Sequence, residues 1–196
     1  MKKGLIAVAA LIIIAVIAFM AIPKAKPVQE GLTPDKTEAL IASALLYQDS
    51  MDTYFDTDLG KKEWALKRNL REAYLKCDGS HEEIVAYVDG YGRELDRKLK
   101  EWNLKVEKGI LERGDAGLSI EDFAGKAQDF LTVYNQASML PEFEVYDDAH
   151  KAFKSDVTGL MTRGVAEDDI VEALEDGGIS SKRVLAMVHY WRVKEL

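Results

Sequence analysis

Nineteen uncharged residues in a row, Gly4 to Ile22, follow Lys2 and Lys3. The run is built mainly of Leu, Ile, Val and Ala, so a helix made from it has no polar face to turn toward water. At 1.5 Å per residue it reaches ~28 Å, close to the ~30 Å hydrocarbon thickness of a bilayer. A cleavable signal usually carries only ~7–15 apolar residues and a small-residue cut site. Here the run ends Ala18-Phe19-Met20-Ala21-Ile22-Pro23, which reads as an uncleaved signal anchor. Lys2, Lys3 and the terminal amine favour a cytoplasmic N-terminus, against the weaker opposing bias of Lys24 and Lys26. The expected organisation is a cytoplasmic N-terminus (1–3), a transmembrane signal anchor (4–22), a Pro-containing spacer (23–33) and a domain (34–196) on the periplasmic or extracellular side.

The string Lys2-Lys3-Gly4-Leu5, followed by apolar residues, resembles a type IV prepilin leader, which is cut after a glycine. The resemblance covers the first 22 residues and implies a pilin-like structural subunit whose mature chain starts at Leu5. Most such leaders place a glutamate at the fifth position after the cut, where this chain has Ala9.

Beyond the anchor, residues 34–196 are enough to bury a core without disulfides or metals. The single cysteine, Cys77, has no internal partner and follows Tyr74 on an apolar helical face, as buried filler does. Net charge is −2 over residues 1–60, +2 over 61–114 and −8 over 115–196. An acidic C-terminal half repels phosphate backbones, so nucleic acid is not an expected partner.

Three of the four prolines, Pro23, Pro27 and Pro34, fall between anchor and domain and make the spacer short and stiff. Thr33 is placed to cap a helix that has Pro34 at its first position and runs toward Phe55, with Leu40, Ile41, Ala44 and Leu45 as its apolar stripe. A second helix spans Lys61 to Lys76, and Ser80 with Glu83 forms a capping box for a third. Ile84, Val88, Tyr91, Leu95, Leu99, Trp102, Val106 and Ile110 keep helical spacing, which predicts one long helix bent at Gly90 and Gly92. Further helices are expected at about Ile120–Leu140, Tyr146–Arg163, Glu167–Asp176 and Ser181–Glu195. The only extended candidate is the short stretch Glu142 to Val145. Three stretches share a corner layout: Gly117 to Phe123, Gly164 to Ile170 and Gly178 to Val184. In each, a glycine ends one helix, and an apolar residue before the next cap meets another at the fourth helical position, a hydrophobic staple.

Asp115 to Phe123 resembles the second half of an EF-hand calcium loop running into its exit helix. In that register the first and third ligand positions fall on Leu111 and Arg113, and Ala116 occupies the glycine position. Too few oxygens remain for a calcium ion, and the stretch reads as a capped helix start. Asp147 and His150 share a helical face without a third ligand, His81 lies in a helix first turn, and His189 sits between apolar positions as a packed residue. No metal or cofactor is therefore expected. Neither a nucleophile elbow nor a phosphate-cradling glycine loop occurs, and Trp64, Trp102 and Trp191 lie in apolar stripes where core packing is the default.

Two charged surfaces stand out. Lys61, Lys62, Lys67, Arg68, Arg71 and Lys76 make one helix basic, suited to anionic headgroups or to an internal acidic partner. Asp168, Glu172 and Glu175 fall on one face of a short acidic helix, a candidate docking face for a basic partner. The expectation is an all-α protein: a transmembrane helix followed by a bundle-like domain of about six to seven helices joined by Gly-containing corners. Its function is read as protein interaction, an accessory or scaffold subunit bound to other membrane or envelope proteins. An envelope hydrolase on a helical domain and the pilin-like subunit are the alternatives.

Overall fold

The computed structural model describes residues 31–195. The proposed anchor at 4–22, the prepilin-like leader and most of the spacer lie outside the described residues. Among the described residues no helix is long and apolar enough to cross a membrane, and all regular structure is helical. The helices are α1 (Pro34–Asp56), α2 (Asp58–Lys76), α3 (His81–Tyr87), α4 (Arg93–Glu107), α5 (Ile120–Ala137), α6 (Pro141–Thr162), α7 (Glu167–Asp176) and α8 (Lys182–Glu195). The stretch 142–145 lies inside α6, whose first position is Pro141.

The helices number eight among the described residues because the expected long helix is two. Gly90 has φ +85° and Gly92 has φ +154°, conformations that a right-handed helix excludes and that residues with a Cβ rarely adopt. Helical spacing nevertheless runs through the break, since Ile84, Val88, Leu95, Leu99 and Trp102 all enter one core. Periodicity reports which residues share a core, and here that core continues where the helix does not.

Two apolar cores are formed. The first joins α1, α6, α7 and α8 through Leu40, Ala44, Tyr47 and Met51 of α1, Phe153, Val157 and Leu160 of α6, and Trp191 of α8. Helices α1 and α6 run antiparallel, because Tyr47 stacks on Phe153 at 5.6 Å while Tyr54, two turns later, meets Phe143 at 5.4 Å. The second core joins α2 to α5 through Leu70, Tyr74, Leu95, Leu99, Trp102, Phe123 and Phe130. Cys77 is buried in it.

The corners follow the expected chemistry in part. Val165 with Ile170 and Ile179 with Val184 are all buried in the first core. At both corners hydrogen bonds close the preceding helix: Val165 N–H to Leu160 O at 3.2 Å, and Ile179 N–H to Leu174 O at 2.9 Å. At the last corner the helix starts at Lys182, one residue later than a cap at Ser180 implies. Gly117 ends no helix. It belongs to a strap, residues 112–118, whose Gly114, Gly117 and Leu118 N–H groups bond to the Leu75 and Lys76 carbonyls at 3.1 Å. Arg113 adds a hydrogen bond to Tyr74 O at 3.1 Å and lies over the Tyr74 ring. The EF-hand-like stretch thus satisfies carbonyls that the end of α2 leaves without partners. Ser119 caps α5 by accepting from the Asp122 N–H at 3.1 Å.

Candidate functional site

A layer of polar side chains runs between the two cores. Glu63 of α2, 1% exposed, pairs with Lys67 at 3.2 Å. Glu101 of α4, 8% exposed, is the hub: Arg97 and Lys98 each approach one carboxylate oxygen at 3.4 Å, and Lys105 approaches the other at 3.7 Å. Arg97 also forks onto Glu94 at 2.7 and 3.0 Å, and the Lys105 ammonium sits 4.1 Å over the Tyr190 ring. Burial alone would raise the Glu101 carboxyl. Lys98, a hydrogen bond from Tyr190, Lys105 and Arg97 outweigh it and hold the group well below the usual carboxylate range. Burial, reinforced by Lys67, pushes the Lys98 ammonium down.

On the first-core side of this layer lies His150, ringed by Tyr47, Tyr146 and Trp191 at 5.3, 6.2 and 5.5 Å. Burial, then the nearby Lys98, lowers it to about 4. Its expected companion Asp147 turns away to Lys151 at 2.6 Å. Among the described residues no group of three or more His, Cys, Asp or Glu side chains is placed to hold a metal ion. Perturbed acidity marks catalytic groups when it occurs in a cleft. Here the perturbed groups are packed between helices, and their shifts follow from burial and ion pairing.

The acidic helix is different. Asp168, Glu172 and Glu175 are all exposed on one face of α7, whose opposite face buries Ile170 and Leu174. Among the described residues the ion pairs of α7 run through Glu167 instead, which holds His189 Nδ1 at 3.0 Å and Arg192. His189 is therefore an exposed hydrogen-bond partner of Glu167 rather than the packed residue its apolar neighbours suggested. Three acids crowd the first turn, where the helix dipole favours them, but Glu175 and Asp176 end the helix, where it does not.

The end of α7 abuts α1, where Ile41 packs directly on Gly177. Beside that contact an open groove of about 550 Å³ runs along α1, lined by Leu32, Pro34, Thr37, Glu38, Ile41, Ala42 and Leu45. Leu45 is 41% exposed and Leu46 54%. The sequence expectation placed Ile41 and Leu45 in the core stripe, yet only Leu40 and Ala44 of that set are buried. The signal was present: Leu40, Ile41, Ala44, Leu45 and Leu46 spread around more of the helix than one buried stripe needs.

The basic helix α2 spends Lys61 on Asp56 at 3.0 Å and Lys67 on Glu63. Of the tryptophans, Trp102 and Trp191 are core residues, while Trp64 is 38% exposed. It packs on Phe55 at 5.1 Å and lies under the Arg183 guanidinium at 5.0 Å. The chain matches no protein-family model, no curated protein and no solved structure.

Proposed function

We infer that the protein is a membrane-anchored interaction module, an accessory or scaffold subunit whose helical domain binds other membrane or envelope proteins outside the cytoplasm. The observation that carries this reading is that the domain exposes two distinct surfaces, an acidic face of Asp168, Glu172 and Glu175 on α7 and an open apolar groove along α1. Exposed apolar side chains such as Leu45 and Leu46 cost solubility unless something covers them. The residues 4–22 supply the tether, and the spacer 23–33, at most ~40 Å when extended, keeps the groove near the bilayer.

The test is gentle extraction from washed membranes, with a photocrosslinker at Glu172 or Leu46 and mass spectrometry of the adducts. The reading expects the chain to stay with the membrane through an alkaline wash and to give one discrete protein adduct in near-stoichiometric yield. A chain that washes off, or that emerges monodisperse and without adduct, overturns it. The intact mass from the same preparation gives the start of the mature chain, Leu5 for a pilin-like subunit.

A further inference from the structure

We propose that the domain is a hinged clamp, in which the unit of α2 to α5 and the unit of α1 with α6 to α8 part at the polar layer between them in mild acid. The proposal goes beyond the interaction-module reading and stands without it.

Both chain crossings between the units lie at one end. Helix α1 passes to α2 at Thr57, and α5 passes to α6 through 138–140. Phe143 touches Tyr54 at 5.4 Å and Tyr134 at 5.7 Å, which brings the two crossings together. Beside them Arg183, in the first turn of α8, lies 5.0 Å over the Trp64 ring of α2. From there α8 runs about 15 Å along its axis to Val193 at the opposite end. Polar contacts latch the units there: the Lys105 ammonium sits 4.1 Å over the Tyr190 ring, and Lys108 donates to the Val193 carbonyl. Each unit keeps its own apolar core. Rotation about the two crossings therefore breaks the latch without dividing either core. It also returns to water Glu63, Glu101 and Lys98, ions whose burial is unfavourable.

His150 supplies the trigger. Cations face it from the other unit, Lys98 and Arg97 from α4 and Lys67 from α2, while Asp147 on its own helix acts the other way. Tyr47 of α1, Tyr146 of α6 and Trp191 of α8 complete its surroundings without charge. The carboxylates of the layer are already engaged, Glu63 by Lys67 and Glu101 by Arg97, Lys98 and Lys105. Among the described residues the buried Nδ1 of His150 has no hydrogen-bond partner. A proton there adds positive charge where cations already crowd, and opening relieves it by moving them away and admitting water. Lys98 takes up its own proton near 7, so it is charged before His150 titrates. The closed form binds the His150 proton more weakly than the open form, and acid therefore favours opening. Closure is fully favoured above 6.5 and is lost as pH falls toward about 4, and this gap lets acid raise the open-to-closed ratio by at most ~300-fold.

The test measures distances by pulsed electron spin resonance on the full-length chain in nanodiscs, with Cys77→Ala leaving only introduced thiols. Spin labels at the exposed positions Glu112→Cys and Asp169→Cys report the latch end, and labels at Lys62→Cys and Glu144→Cys report the crossing end. From pH 7.5 to 4 the first distance should lengthen by about 5 Å or more while the second changes by less than about 2 Å, with helical circular dichroism unchanged. His150→Phe should abolish the lengthening, and His150→Gln, which also cannot charge, should do the same if the Phe variant fails to fold. Lys105→Met with Lys108→Met removes the latch and should move the opening midpoint to higher pH. A latch-end distance that stays constant down to pH 4 overturns the proposal. So does equal lengthening at both ends, loss of helix over the same interval, an unchanged transition in both His150 variants, or a midpoint that the latch variant leaves in place.

Discussion

The Cδ1 atom of Ile41 lies 2.6 Å from the place where a Cβ on Gly177 would stand, so the α1–α7 contact has no room for a methyl group. Gly177→Ala must push Ile41 into the groove, and the flexible end of that side chain can yield, at a cost of about 1 kcal/mol. At Gly60 the obstruction is the Tyr54 carbonyl oxygen, 2.1 Å from the same position. Backbone cannot rotate away, so Gly60→Ala should cost about 3 kcal/mol. Urea midpoints of the two variants should differ in that order, and equal midpoints would refute it.

Stability should fall as the solution is acidified from pH 6.5 toward pH 4. In the folded chain His150 titrates near 4, well below its ordinary 6.5, so protons bind the unfolded state more readily over this interval. Its contribution is complete above 6.5 and is lost as pH drops through the folded value, a loss on the order of 3 kcal/mol. Lys98, Lys67 and Arg97 oppose protonation, and Asp147 favours it. His150→Phe should flatten this part of a urea-midpoint profile measured from pH 7.5 to 4.5. Glu101 acts in a separate, more acidic window, since its carboxyl is depressed and its contribution disappears only as pH falls below the ordinary carboxylate range.

Glu101→Gln should destabilise the protein by about 3 kcal/mol, because Lys105 and Arg97 lose the buried anion they face and Lys98, already pushed down by burial, loses the partner that holds its proton. Lys98→Met alone should cost less, since it removes an ammonium that burial already disfavours. In the double variant part of the Glu101→Gln loss should return. A double-mutant cycle from chemical denaturation measures the coupling, and strict additivity would show that the two groups act independently.

Two helix starts should respond differently to the same kind of change. Ser80 accepts from the Glu83 N–H at 3.2 Å, and Glu83 in turn accepts from the Ser80 N–H at 2.8 Å. Ser80→Ala should therefore cost about 1 kcal/mol. Thr33 makes no side-chain cap to α1, and Thr33→Ala should stay within about 0.5 kcal/mol. Thermal denaturation of the pair distinguishes them.

Most local signals in the sequence reached the structure; the exceptions are Thr33, which makes no side-chain cap, and Gly117, which ends no helix. The capping box at Ser80, the Ser119 cap and the buried corner pairs Val165–Ile170 and Ile179–Val184 depend on neighbours a few residues away. The break at Gly90 was hidden because both flanking helices feed the same core. The polar layer was hidden for another reason. In a chain with 34 acids nothing marks Glu63 and Glu101 as the buried ones, and only the meeting of α2, α4, α6 and α8 distinguishes them. The face of Asp168, Glu172 and Glu175 was legible from spacing alone. The groove on α1 was not, because Ile41 and Leu45 continue the apolar spacing of Leu40 and Ala44 and look like core.

The two cores are not sequential. Helices α2 to α5 form a contiguous unit, while α1 shares its core with α6, α7 and α8, made only after that unit is complete. During synthesis the middle of the chain has all its packing partners when α5 emerges. The first helix must meanwhile wait, apolar side uncovered, for more than half of the protein to follow it. A ribosome stalled once Ala137 has cleared the exit tunnel would therefore present a finished central unit and an α1 that still lacks α6 to α8, exposing Leu40, Tyr47 and Met51. That nascent state is where chaperone capture and premature self-association would act.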